Sequence, residues 1–186
     1  MTHQLTTQNS LLLSKLLEFY KKDGNMEKIL PIINGESNIS LRLIDWFATN
    51  YSKKYYTVYP LTQKNGEEKR FKVYIDYKLK LKAYSKRRFD PFCRWERITI
   101  PYDGDSYIQT TIGQLNFFRW ALENKIINYI EQNLIQINND MNKRNSTAKN
   151  RKEKSTTKTR KKREELSISA SKSIKKEQVE IVVDFK

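Results

Sequence analysis

The chain is short of the residues on which most catalytic and metal sites depend. It has one cysteine, Cys93, and one histidine, His3. A single thiol cannot close an intrachain disulfide or furnish a cysteine-based zinc site. His3 lies at a terminus expected to fray, so His-dependent hydrolysis and most metalloenzyme chemistry are excluded. Cys93 has no histidine base to activate it as a nucleophile. Long hydrophobic runs are missing too. The apolar stretches are a few residues each, against the ~20 needed to cross a bilayer, and nothing resembles a signal peptide. There is no P-loop, no GxGxxG after a strand and no GxSxG. Acid-x-Lys spacing, as in some nucleases, occurs at Asp76–Lys78 and Glu67–Lys69, but Asp76 reads more simply as a charge partner of nearby lysines. These absences point to a soluble intracellular protein that is not an enzyme and holds no cofactor or metal.

What the chain has is positive charge. Its 186 residues carry 36 Lys and Arg against 21 Asp and Glu, a net of +15. Such a surplus favours a polyanionic partner: nucleic acid first, with DNA ahead of RNA, and no membrane. The charge is unevenly placed. Residues 1–141 hold 21 basic and 15 acidic side chains and 21 of the 22 aromatics, the content of a folded domain. Residues 142–176 hold 14 basic and 3 acidic side chains, no aromatic, and only Leu166, Ile168 and Ile174 as large apolar residues. That composition cannot offset an ordering entropy of roughly 1–2 kcal/mol per residue, so a disordered basic tail is expected there. Residues 177–186 change again, to a net of −2 with Val179, Ile181, Val183 and Phe185 alternating.

Within 1–141 the patterning indicates an α+β domain. Helices are expected at 10–22, where Leu12, Leu13, Leu16, Leu17 and Tyr20 recur at helical spacing, and at 26–30, ended by Pro31. A third helix is expected at 40–52, capped by Ser40 or Asn38. Residues 55–61 and 70–84 read as strands joined through Asn65-Gly66, a strong hairpin signal, with a third strand at 94–100 closed by Pro101. Asp103-Gly104-Asp105 reads as a turn. Thr111 and Gln114 fit a capping box opening a long helix toward Ile137, with a break possible near Asn124. The expected arrangement is a small three-stranded antiparallel meander, with N- and C-terminal helices on one face. Trp46, Phe47, Phe89, Phe92, Trp95, Phe117, Phe118 and Trp120 are assigned mainly to the core, because aromatics bury large areas.

Three stretches could carry function. If 70–84 is a strand, its alternation places Lys72, Tyr74, Lys78, Lys80 and Lys82 on one face. Lys86, Arg87, Arg88, Arg94 and Arg97 follow, giving a basic surface with an aromatic able to hold phosphates and stack a base. An exposed sheet face kept soluble by lysine explains the same pattern. The second stretch is the tail, where Arg151, Lys152, Lys158, Arg160, Lys161, Lys162 and Arg163 would bind nucleic acid by counterion release, without sequence readout. Its Lys161-Lys162-Arg163 cluster also has the form of a nuclear-import signal. The third is the C-terminal run. Val179–Val182 has the hydrophobic-acidic form of a SUMO-interacting motif, or would pair with a sheet edge of this chain or another subunit.

Residues 40–55 (SLRLIDWFATNYSKKY), 81–98 (LKAYSKRRFDPFCRWERI) and 110–130 (TTIGQLNFFRWALENKIINYI) together resemble an uncharacterised protein family of nucleocytoplasmic large DNA viruses, the giant-virus group. The resemblance covers about half the chain and implies a viral origin, in keeping with the abundance of Lys, Asn and Ile. It brings no site residue with it. The function expected is a non-enzymatic, sequence-tolerant nucleic-acid-binding protein, associated with the genome or virion core, in the virion, the virus factory or the host nucleus. The alternatives are a minor structural or scaffold virion protein and a nuclear-targeted transcription regulator.

Overall fold

A computed structural model describes residues 7–62, 66–93, 96–103, 106–153 and 175–178. The protein is α+β, mostly helical, with two small antiparallel sheets. Helix α1 spans Thr7–Tyr20 and buries Leu16 and Tyr20. Helix α2, Asn25–Asn34, carries Pro31 inside it rather than ending there. Helix α3, Leu41–Trp46, is capped by Ser40, whose Oγ accepts from the Leu43 amide at 3.1 Å. It runs into a π-helical turn, Phe47–Tyr51, and a last helical turn, α4, Ser52–Lys54. Strands β1 (Val58–Thr62) and β2 (Glu68–Lys72) form the hairpin that Asn65-Gly66 signals.

The largest departure from expectation follows. Residues 73–84 are not a strand. They begin helix α5, Val73–Phe89. The alternating pattern also contains an i, i+4 series, and the helix uses that one: Val73 and Tyr77 are buried, Leu81 and Tyr84 half-buried. Asp76 is part of the reason. Its Oδ1 accepts the indole N–H of Trp120 at 2.6 Å, a tie to helix α6 (Ile112–Glu123) rather than a charge partner for the lysines. The three-stranded meander is therefore replaced by two separate sheets, one on each side of α5 in sequence. The second sheet pairs β3 (Arg97–Asp103) with β4 (Ser106–Thr111), and β5 (Lys175–Gln178) adds to the far edge of β4. Pro101 lies within β3 rather than closing it, which is tolerable on an edge strand because proline lacks an N–H donor.

Helix α6 is the centre of the molecule. Nine of its twelve residues are buried, the polar Gln114 and Asn116 among them, as in a helix surrounded by protein. Thr111 caps it, accepting the Gln114 amide at 3.2 Å. The buried Gln114 side chain accepts from the Thr110 hydroxyl at 3.2 Å. Phe117 and Trp120 pack with Tyr77 and Phe89 of α5, with ring centroids 5.7–6.4 Å apart. Trp46, Phe47 and Phe118 are buried as expected, and Phe92 half-buried; Trp95 lies outside the described residues.

The entry of α6 needs a glycine. A Cβ on Gly113 would meet the carbonyl oxygens of Arg87 and Asp90 at 3.0 Å each. Both belong to backbone, which cannot rotate away. Gly113→Ala is therefore expected to destabilise the fold by about 1–3 kcal/mol, as overpacking does. A thermal melt unchanged from wild type would show that the two segments can separate without cost.

The long helix breaks at Asn124-Lys125, where Lys125 takes φ 53°, and again at Asn133, giving α7 (Ile126–Gln132) and α8 (Leu134–Glu153). Helix α8 corrects the reading of the tail. Residues 142–153 are helical, where disorder was expected. Ile137 and Met141 are buried and anchor the helix, and extending a nucleated helix costs little even through a polar sequence. Residues 154–174 and 179–186 lie outside the described residues. Among the described residues, no helix is long and apolar enough to cross a membrane.

Candidate nucleic-acid interface

Folding redistributes the expected basic face. At about 100° per residue on a helix, Lys78 and Lys82 remain neighbours one turn apart, but Lys80 points to a different side and is half-buried. Lys72 ends β2 and is exposed. Tyr74 is half-buried with two ammonium groups against its ring, Lys53 at 5.6 Å and Lys78 at 5.7 Å from the centroid. Lys86 and Arg87 are exposed beyond a kink at Ser85. Arg88 is turned inward, its Nε donating to Asn9 Oδ1 at 2.8 Å and its carbonyl accepting from Asn116. Arg97 donates to Gln109 on the neighbouring strand at 2.9 Å. Arg151 and Lys152 fall in the last turn of α8. Arg94, Lys158, Arg160, Lys161, Lys162 and Arg163 lie outside the described residues, as do Val179, Ile181, Val183 and Phe185. The nine described residues of the expected basic face are thus spread over β2, α5 and β3 rather than along one strand.

A different site emerges around residues 46–57. Phe47, Tyr51 and Tyr55 follow one another at four-residue spacing along the π turn and α4. Their rings make a column, 5.9 Å and then 4.5 Å between centroids, that runs from a fully buried ring to an exposed one. Tyr129 and Tyr59 extend it sideways, at 5.3 Å and 5.0 Å. The helix widens where side-chain hydroxyls compete for its carbonyls. Thr49 Oγ1 donates to Asp45 O at 2.7 Å and Ser52 Oγ to Ala48 O at 2.8 Å, while the Ser52 amide reaches back to Phe47 O.

The end of α4 is unusual. The Thr57 amide donates to Ser52 O at 3.1 Å, the long-range bond of a Schellman cap. That motif puts the preceding residue in the left-handed region, where glycine is the favoured choice. Here it is Tyr56, at φ 47°. Its ring is 63% exposed, so packing does not repay the conformation.

Opposite this segment runs α8. Between them lies an open groove of about 650 Å³ lined by Tyr51, Lys54, Tyr55 and Tyr56 on one side and by Tyr129, Gln136, Asp140 and Lys143 on the other. Asp140 organises it, accepting from the Lys54 ammonium and from the Tyr55 hydroxyl, the latter at 3.1 Å. Burial works to raise the Asp140 carboxyl. The hydrogen bonds from Lys54 and Tyr55 and the lysine charge outweigh it and hold the group below the usual carboxylate range. Lys54 is correspondingly raised, first by its bond to Asp140. Burial, then the neighbouring Tyr129 and Tyr55, push the Tyr51 phenol up. At the rim, Arg144 lies 5.2 Å from the Trp46 ring and donates to Asn50 at 3.2 Å.

The sign of the Asp140 shift sets a pH dependence. A carboxyl whose folded pKa is depressed adds stability above its unfolded value, and that contribution is lost as pH falls through the folded value. Thermal melts from about pH 5 down to about pH 2 should therefore fall less steeply for Asp140→Asn than for wild type. Parallel curves would show that other carboxyls govern the acid limb.

Lys54, Lys143 and the exposed rings of Tyr55 and Tyr56 thus line one groove. Lys53 of α4 and Lys78 of α5 both lie against the Tyr74 ring, Lys54 is bonded to Asp140 of α8, and Arg144 follows Lys143 on α8. The sequence reading missed this site. Its signal was present as SKKYY (52–56) beside a helical aromatic series, but that segment was divided between a helix end and a strand start.

Comparison with known proteins gives the chain relatives but no activity. A family model described as a family of unknown function (DUF7197) matches residues 1–186. An uncharacterized protein of Acanthamoeba polyphaga mimivirus is 44% identical over 157 residues, which is 81% of this chain and 60% of that one. The resemblance to an uncharacterised giant-virus family is thus borne out, and this chain spans about three-fifths of the relative's length. No solved structure matches.

Proposed function

The chain belongs to the family of unknown function DUF7197, and we propose that it is a non-enzymatic, largely sequence-tolerant nucleic-acid-binding protein of a giant virus, with DNA the main partner. One observation carries this reading. Helix α8 supplies a wall of the cationic, tyrosine-lined groove and continues, as one helix, into the basic segment. The helix that walls the groove therefore also carries Lys149, Arg151 and Lys152 further along the same element. Phosphates held by the basic segment would bring the rest of the strand to Lys53, Lys54, Lys78 and Lys143. Affinity in this arrangement comes mainly from counterion release and depends steeply on salt. Association with the viral genome, in the virion or virus factory, follows from such chemistry; entry into the host nucleus would use Lys158–Arg163.

Charge reversal tests the folded part. The triple variant Lys53→Glu, Lys78→Glu, Lys143→Glu should weaken binding to duplex DNA by about a hundredfold or more, since each lost contact removes close to one unit of salt slope. Unchanged affinity with an unchanged melting temperature would remove the folded domain from the interface.

A scaffold role has its own supporting observation. Ile75 and Leu79, one turn apart on α5, are 43% and 60% exposed, an apolar pair that a protein partner could cover. Removing 177–186 should abolish assembly under that reading and leave DNA binding intact under the first.

A further inference from the structure

Among the described residues four non-glycines take a positive φ, Asp23, Tyr56, Ser85 and Lys125, and Tyr56 is the aromatic one. Its backbone position favours glycine, because a Cβ in the left-handed region costs energy, and its ring is exposed rather than packed. A strained backbone position that presents an exposed aromatic ring beside a groove is a pointer to function. The adjacent ring, Tyr55, is 53% exposed and is held in place from two directions, its hydroxyl bonded to Asp140 and one face against Tyr51 at 4.5 Å. The Lys54 ammonium lies 4.7 Å from its centroid. Two exposed phenol rings, one of them fixed, thus stand at the mouth of a groove with cations on both sides. A duplex keeps its base faces stacked on one another and has none to offer such rings. A single strand has free faces, and any base can present one.

We propose that Tyr55 and Tyr56 are a stacking platform for the unpaired bases of single-stranded nucleic acid, with Lys143 on the facing wall of the groove placed to take a flanking phosphate. This rests on the nucleic-acid reading above and names the form of the ligand at the groove. Asp140 is a positioning residue. It fixes the Tyr55 ring and offsets the Lys54 charge without touching a base. The platform is sequence-tolerant, since it reads ring faces rather than base edges.

The test uses the full chain and two single-stranded DNA probes of about a dozen nucleotides, one oligothymidylate and one of the same length with abasic sites throughout. Both present the same phosphates. Wild type should bind the base-bearing strand about tenfold more tightly than the abasic one, the worth of stacking about one base. The variant Tyr55→Leu, Tyr56→Gly should lose that difference while keeping its affinity for the abasic strand. Tyr56→Gly alone should raise the melting temperature, which separates loss of the ring from loss of the fold. Equal binding of both strands by wild type would overturn the platform and leave phosphate-driven binding standing. Failure to bind either strand, or duplex, would overturn both the platform and the nucleic-acid reading.

Discussion

Replacing Lys158, Arg160, Lys161, Lys162 and Arg163 together by glutamine is expected to cut affinity for duplex DNA several-thousandfold at about 0.15 M salt. The magnitude follows from ion release. Each phosphate contact on B-DNA contributes about 0.9 to the slope of log K against log salt, so five contacts contribute about 4.5. At physiological ionic strength that is between three and four decades of affinity. The slope itself should shrink by the same 4.5 or so, and this signature is more diagnostic than the loss of affinity. A variant that binds weakly with an unchanged slope would have lost something other than phosphate contacts. Glutamine keeps a long polar side chain at each position, so the melting temperature should not move.

Phe89→Ala should have the largest effect on stability. Phe89 is completely buried and lies within 5.7–6.1 Å, centroid to centroid, of the Tyr77, Tyr84, Phe117 and Trp120 rings. It closes α5 onto α6 just after Ser85, the residue at φ 64° and ψ 168° that kinks the helix. Truncating a buried phenylalanine costs about 3–5 kcal/mol. Against a total of about 5–15 kcal/mol for a typical domain, that leaves the protein partly unfolded or close to it. Denaturant titration would read the loss directly. A change below about 1 kcal/mol would mean the rings can close over the space, contrary to the packing described.

How much of this was legible in the sequence depends on the kind of signal. Local chemistry was readable. Ser40 and Thr111 cap the helices they were expected to cap, Asn65-Gly66 marks a hairpin, and Leu16 and Tyr20 face the core. Residues 73–84 misled because FKVYIDYKLKLKA satisfies two periods at once. The period-two reading gave a cleaner alternation, but it required a strand of fifteen residues, well beyond the usual 3–10. Tertiary contacts decide between the periods. The bond from Trp120 to Asp76 and the packing of Tyr77 on α6 favour the helix, at the cost of leaving Ile75 and Leu79 exposed. Neither contact is visible before α6 is placed. The groove was unreadable for the same reason. Tyr55 and Asp140 are 85 residues apart, and only the fold brings them together. The left-handed cap at Tyr56 was also hidden, since no glycine or asparagine announces it.

The most direct test of nucleic-acid binding as the function is a fluorescence-anisotropy titration of the full-length protein on a duplex of about 20 base pairs, repeated from about 0.05 to 0.3 M salt. The account predicts binding that survives near physiological salt and a log–log slope of about −7, the value for roughly eight phosphates neutralised. A slope near zero, or no binding at about 0.15 M salt, would contradict it and leave the charge without a nucleic-acid partner.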